Sequence, residues 1–292
     1  MRVRTVLTVL ATVTGLLAPA GTAAAAQGGH DRSQKGPTYY VSLGDSLASG
    51  YQPDTGTDTD QSYTDKLYEQ LRKEDPRLVH IKLGCSGERS TTMLKGGTCT
   101  YTDRHGRKVS QLAKAVDFLR RHRARVRYVT VGIGANDVGG CVSDGTIDTR
   151  CTVKGLRTLQ DNLPEIAFAL RRSTGRHTRL AAMTYYNPYL AAWLTGEQGR
   201  DTAVRSAVWQ QVLNAVITSE FRRRGFAVAD VSRAFDSLAF SPKVPLPGTS
   251  SRVPLNVARI CQYTWMCTPY TDIHANPAGH ELIADTFAAR MR

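Results

Sequence analysis

The sequence predicts a three-layer α/β/α sandwich around a mainly parallel sheet of about five strands. Short apolar runs of four to eight residues alternate with longer amphipathic stretches throughout the chain. No repeat or low-complexity linker interrupts this alternation after the polar segment Gly28 to Lys35. A strand followed by a helix and a second strand returns by a right-handed crossover, which makes the sheet parallel and covers both of its faces.

Taken in order, Tyr39 to Leu43, Leu78 to Leu83, Arg127 to Ile133, Arg179 to Thr184 and Phe226 to Val231 read as strands. Between them, Ser62 to Glu74, Val109 to His122, Val153 to Arg172 and Asp201 to Arg224 read as helices, with Ala278 to Arg290 as the last. Leu112, Val116 and Leu119 show the three- and four-residue spacing that gives a helix one apolar face. The expected sheet is flavodoxin-like. In such open sheets ligands bind beyond the carboxyl ends of the strands, so the loops after Leu43, Leu83 and Ile133 are expected to share one rim.

The N-terminus carries Arg2 and Arg4, an uncharged stretch from Thr5 to Ala20, and Ala24-Ala25-Ala26 before Gln27. This is the pattern of a cleaved secretory signal peptide over residues 1–26, and the apolar stretch is too short for a membrane span. Residues 27–37 read as a polar lead-in and 38–292 as a single catalytic-sized domain. An oxidising destination suits Cys85, Cys99, Cys141, Cys151, Cys261 and Cys267, which fall into three sequence-local couples. Pairing in sequence order is expected, although other connectivities are formally open. None of the couples has Cys-x-x-Cys spacing with nearby histidines, so disulfides are preferred to zinc.

The formal charge of +13 falls to +11 when Arg2 and Arg4 leave with the signal peptide. Such a surface favours anionic partners. The basic residues are spread over expected helices (Arg120, Arg121, Arg171, Arg172, Arg222 to Arg224) without interleaved aromatics, which argues against a nucleic-acid groove. A monomer without metal or organic cofactor is the expectation.

Chemistry concentrates at the expected rim. After the first strand comes Gly44-Asp45-Ser46-Leu47-Ala48-Ser49-Gly50, a serine set between a strand and a helical turn. Following the second is Leu83-Gly84-Cys85-Ser86-Gly87-Glu88-Arg89-Ser90, and following the third Gly132-Ile133-Gly134-Ala135-Asn136-Asp137. Near the C-terminus stands Tyr270-Thr271-Asp272-Ile273-His274-Ala275-Asn276. A serine hydroxyl needs a base to become a nucleophile and donors aimed at the oxyanion that its attack creates. These blocks contain each kind of group.

In this order and at these distances the four blocks resemble the SGNH (GDSL-type) hydrolases over essentially the whole mature chain. Within that family the chain resembles the secreted, three-disulfide lipases and esterases of actinobacterial type, which carry the same Gly-Cys-Ser-Gly loop and three local disulfides. The resemblance implies a serine hydrolase acting on carboxylic esters, with Ser46 as nucleophile and His274 as base. Its oxyanion hole would comprise the backbone N–H groups of Ser46 and Gly87 and the side-chain amide of Asn136. Gly84 is the rival to Gly87. The usual aspartate three residues before the histidine is absent, because position 271 is threonine. Either Asp272 or the main-chain carbonyl of Thr271 is therefore expected to orient His274.

Each feature has a plainer reading. Ser46 and Asn136 are residue types that turns and caps favour. His280 is an alternative base, but an expected position in the first turn of the last helix aims it away from the rim. The run Asp54 to Asp60 alternates carboxylates yet lacks the glycine and glutamate of a calcium loop. Tyr185, Tyr186, Pro188, Tyr189 and Trp193 follow the fourth strand and are expected either to line an acyl pocket or simply to pack. Ser241 to Val253 reads as a flexible loop. Two further functions are compatible with the sequence, a polysaccharide O-deacetylase using the same site and a secreted, non-catalytic binder of lipid or cell-envelope polymer.

Overall fold

The computed structural model describes residues 36–143, 145–246 and 248–291. The expected signal peptide and most of the polar lead-in lie outside the described residues. Five parallel strands form the central sheet: β1 (Thr38–Gly44), β2 (Leu78–Lys82), β3 (Val126–Gly132), β4 (Arg179–Met183) and β5 (Ala227–Ala229). Their order is β2-β1-β3-β4-β5, so the direction of winding reverses between β1 and β3. Sequential crossovers leave a crevice at such a reversal, beyond the carboxyl ends of the two strands.

Six longer helices flank the sheet: α1 (Tyr63–Glu74), α2 (Gln111–Arg121), α3 (Thr149–Ser173), α4 (Glu197–Arg223), α5 (Leu255–Tyr263) and α6 (Pro277–Met291). α1 packs against α6, while α2 packs against α3 and α3 against α4, which accounts for the two outer layers. Their starts follow from local chemistry. Ser62 and Asp65 form a reciprocal capping box at α1, Ser110 caps α2 through the N–H of Ala113, and Asp148 caps α3 through that of Cys151. Each supplies an acceptor to amide groups that lack an intrahelical partner.

The core is continuous through both layers. Tyr40, Val41 and Leu43 of β1 are fully buried, as are Leu67, Leu119, Leu159 and Phe287 from the helices. Burying one such side chain contributes about 1.5–3 kcal/mol. The rings of Tyr63 and Phe287 stack at 5.1 Å and join α1 to α6. His280 belongs to the same joint: it is fully buried in the first turn of α6, and its Nδ1 accepts from the N–H of Tyr63 at 3.0 Å. Burial pushes its pKa down to about 3, so the ring is held neutral as an acceptor.

Three features depart from the sequence expectation. The pattern gives no sign of α5, and Ser241 to Val253 is not merely a loop, since Lys243–Pro245 pairs with Arg252–Pro254 as a hairpin. Around Asp54 to Asp60 the chain forms a second small hairpin, Tyr51–Gln52 with Thr57–Asp58. The charged residues Arg120, Arg121, Arg172 and Arg222 to Arg224 are exposed on helix surfaces. Disulfides join Cys85 to Cys99, Cys141 to Cys151 and Cys261 to Cys267. Among the described residues no helix is long and apolar enough to cross a membrane.

Candidate active site

β1 ends at Gly44 and the chain turns at once into a single helical turn, Ser46–Ser49. Asp45 caps this turn by accepting from the N–H of Leu47 at 3.1 Å. Asp45 itself is buried, while the side chain of Ser46 emerges into the crevice. The second oxygen of Asp45 accepts from the hydroxyl of Tyr185 at 2.5 Å. Burial raises the Asp45 carboxyl to about 6, against the lowering effect of these two hydrogen bonds. Tyr185 sits just past β4, so this contact holds the serine turn against the far side of the crevice.

His274 meets Ser46 from the opposite wall, with Nε2 2.7 Å from Oγ. Its Nδ1 is 2.6 Å from Oδ1 of Asp272, which also accepts the backbone N–H of His274 at 2.8 Å. The partner of the ring is thus the Asp272 carboxylate and not the carbonyl of Thr271. A spacing of two works because the loop is an Asx turn, in which a side-chain oxygen accepts from the amide two residues on. Thr271 prepares it by adopting a left-handed conformation, φ 46°. Pairing of Thr264 with Ala275, the bond from Trp265 N–H to the His274 carbonyl at 3.0 Å and the Cys261–Cys267 disulfide brace the same loop.

These contacts determine the tautomer. Burial alone would raise the Asp272 pKa, but the hydrogen bonds from the His274 ring and backbone outweigh it and hold the carboxyl below its usual range. An ionised carboxylate only accepts, so Nδ1 carries the hydrogen and Nε2 presents its lone pair to the Ser46 hydroxyl. That is the arrangement in which an imidazole removes a proton from serine.

The remaining wall comes from the loop after β3, to which the loop after β2 is tied. Cys85 to Glu88 form a turn closed by the Glu88 N–H on the Cys85 carbonyl at 3.1 Å, with Gly87 third at φ 80°. A type II turn requires that left-handed conformation at its third residue, which favours glycine. Gly84 has a different part: a Cβ there would lie 2.5 Å from the Ser49 nitrogen, so it permits close packing on the serine turn. Asn136 lies in the short helix Ala135–Gly139, capped by Gly134, and its Nδ2 donates to the Glu88 carbonyl at 3.0 Å. Asp137 accepts from the N–H and hydroxyl of Ser90 at 2.9 and 2.6 Å. Two ties therefore join the Gly87 loop to the Asn136 turn.

Ser46, Asn136 and His274 line one pocket together with Leu47, Val138, Tyr185, Tyr186, Tyr189, Leu213 and Ile273. It encloses about 570 Å³, its open mouth included. Gly87 is not part of that lining and stands on the exposed side of its turn. Nor is Trp193, whose ring packs toward Phe240 and beside Val253 and Val257. Among the described residues no cluster of side chains is suited to a metal ion.

Some supports carry no local sequence signal. Gln111, the first residue of α2, grips β1 by accepting from the Gly44 N–H at 2.8 Å and donating to the Gly44 carbonyl at 3.0 Å. The same amide donates to the buried Glu88 carboxyl at 3.1 Å. Burial raises the Glu88 pKa, offset in part by Thr92, Gln111 and Thr98. Tyr186 lines the pocket as the sequence suggests, but its hydroxyl also anchors the histidine loop by donating to the Ile273 carbonyl at 2.8 Å.

A doubly wound α/β/α fold carries a serine, an imidazole and a carboxylate in hydrogen-bonded series at its switch point, and the family it matches makes it a carboxylic ester hydrolase. The chain belongs to the GDSL-like lipase/acylhydrolase family, whose model matches residues 42–282. Its fold is similar to that of an extracellular lipase from Streptomyces rimosus (18% identity, 87% of this chain and 99% of that one, TM-score 0.54). A similar likeness holds for LAE5, an alpha/beta hydrolase enzyme from the metagenome of Lake Arreo, Spain (17% identity, 88% of this chain and 95% of that one, TM-score 0.51). Among curated proteins, none matches the chain.

Proposed function

We propose that this protein is a secreted serine hydrolase that cleaves esters of apolar acyl groups through an acyl-enzyme on Ser46. The observation that carries the reading is the largely apolar pocket that opens directly on the Ser46–His274 pair. Secretion is supported by the N-terminal sequence pattern and by three disulfides, which persist in oxidising compartments.

Ser46 Oγ attacks the ester carbonyl carbon while its proton passes to His274 Nε2, and Asp272 stabilises the imidazolium that results. The carbonyl oxygen becomes an oxyanion, which accepts from the backbone N–H groups of Ser46 and Gly87 and from the Asn136 amide. Only one N–H of that amide is engaged by Glu88, and the other remains available because an amide nitrogen carries two. When the carbon–oxygen bond breaks, the alcohol leaves with the proton from His274. Water then attacks the acyl-serine and gives its proton to the same nitrogen; the acyl–Oγ bond breaks, Ser46 Oγ takes that proton back, and the acid departs. Asn136→Ala is expected to lower kcat by about 10²–10³-fold, the usual cost of one oxyanion donor. A smaller change in KM, read from the same progress curves, marks the loss as one of transition-state binding.

The direct test is hydrolysis of p-nitrophenyl acetate, butyrate, octanoate and palmitate, with phosphatidylcholine in parallel. Butyrate and octanoate are expected to be cleaved with higher kcat/KM than acetate, because added methylenes fill an apolar pocket. Activity confined to acetate would favour the O-deacetylase reading. No hydrolysis of any ester would leave the binding-protein reading.

A further inference from the structure

Adjoining the pocket is a second cleft of about 380 Å³, its open mouth included, with Val142, Ile147, Leu156 and Trp209 in its walls. Pocket and cleft have Val138, Tyr189, Gln210 and Leu213 in common, so a wall one side chain thick divides them. Tyr189 is the part of that wall that is latched. Its hydroxyl donates to the Gly139 carbonyl at 2.9 Å, and its own N–H is held by the Asn187 side chain at 3.1 Å. Gln210 is anchored independently on the Tyr185 carbonyl at 3.2 Å.

The chemistry of the second cleft selects its occupant. Of its hydroxyls, Thr152 is committed to the Asp148 carbonyl at 2.8 Å, and Ser206 donates to the Ala203 carbonyl at 2.9 Å while accepting from Asn187 at 2.8 Å. Such a cleft makes little provision for a sugar or peptide, whose polar groups lose their water on entry and need partners in return. Hydrocarbon meets no such cost.

We infer that Tyr189 is the specificity-determining residue that ends the acyl pocket, and that the adjoining cleft receives the distal methylenes of longer acyl chains when the latch is open. This rests on the ester-hydrolase reading above and deepens it. The acyl group enters past Ser46, runs over Val138 and Leu213, and stops at the Tyr189 ring. Esters of short and medium chains are therefore the substrates of the latched protein, and longer chains require the ring to be displaced.

The test compares kcat/KM for p-nitrophenyl dodecanoate and butyrate within each variant and uses their ratio. Tyr189→Ala is expected to raise the dodecanoate-to-butyrate ratio at least tenfold, since each methylene moved from water into an apolar site gains roughly fourfold. Adding Ile147→Trp, which fills the second cleft from the small hairpin of Val142–Ser143 with Thr146–Ile147, is expected to return the ratio to that of the wild type. Should thermal melting reveal that Tyr189→Ala does not fold, Tyr189→Leu takes its place, being apolar and unable to reach Gly139. An unchanged ratio beside active butyrate hydrolysis overturns this inference alone. A raised ratio that survives Ile147→Trp also overturns it, because the chain would then lie elsewhere. A wild-type protein that cleaves neither ester overturns the hydrolase reading on which the inference stands.

Discussion

Ser46→Ala is expected to reduce ester hydrolysis by at least about 10⁴-fold, because the series that activates it acts as a unit and has no other hydroxyl to serve. The Ser46 hydroxyl is bonded to His274 Nε2, so the substitution removes one oxygen and leaves the rest of the turn intact. Asp45 still caps Leu47, and the Gly50 N–H still closes on the Ser46 carbonyl. Melting temperature should hence remain within a few degrees of the wild type, as expected when only a half-buried polar group is lost. Ser49, in the same helical turn, is no replacement, since it is buried and its hydroxyl is engaged by the Ser46 carbonyl and by Ser86. Retention of more than about one part in 10³ of the rate, measured with p-nitrophenyl butyrate and accompanied by persistent fluorophosphonate labelling, would mean that the nucleophile is another residue.

Most of the fold and much of the site are legible in the amino-acid sequence, for a physical reason. A strand buried on both faces is a local apolar run, and a helix on one face is a local periodicity, so the sheet and its main helices leave signals within a dozen residues. Parallel winding then carries the loops after β1, β2 and β3 to one edge, which brings Ser46, Gly87 and Asn136 near each other without knowledge of any contact. Gln111, Glu88 and the Asp45–Tyr185 pair are different. Gln111 lies 67 residues from Gly44, and Tyr185 lies 140 from Asp45. Side chains at such separations meet only after the sheet has assembled, and a glutamine at the start of a helix looks the same whether it faces water or grips a strand. Helix α5 is hidden for another reason: at nine residues it is short, and it begins immediately after Pro254 in a segment dense in turn formers. The choice between Asp272 and Thr271 turns on the left-handed φ of Thr271, a conformation that a β-branched residue seldom adopts and that no composition rule would assign.

That choice makes Asp272→Asn the sharpest test of the site. The expected loss is about 10²–10⁴-fold in kcat, the upper end being what the equivalent exchange costs in the trypsin triad. Asparagine is the informative substitute because its oxygen can still accept the His274 N–H and keep the Asx turn. What it loses is the charge that stabilises the imidazolium and the certainty that Nδ1 carries the hydrogen, since an amide can also present a donor. KM should change little, because Asp272 is not among the residues that line the pocket. Were the Thr271 carbonyl the orienting group, the same variant would retain most of its activity, and a loss of less than about fivefold would favour that carbonyl. Asp272→Ala would not discriminate as well. It removes both hydrogen bonds and frees the loop between Trp265 and His274, so a loss of activity would mix a misplaced ring with a missing charge.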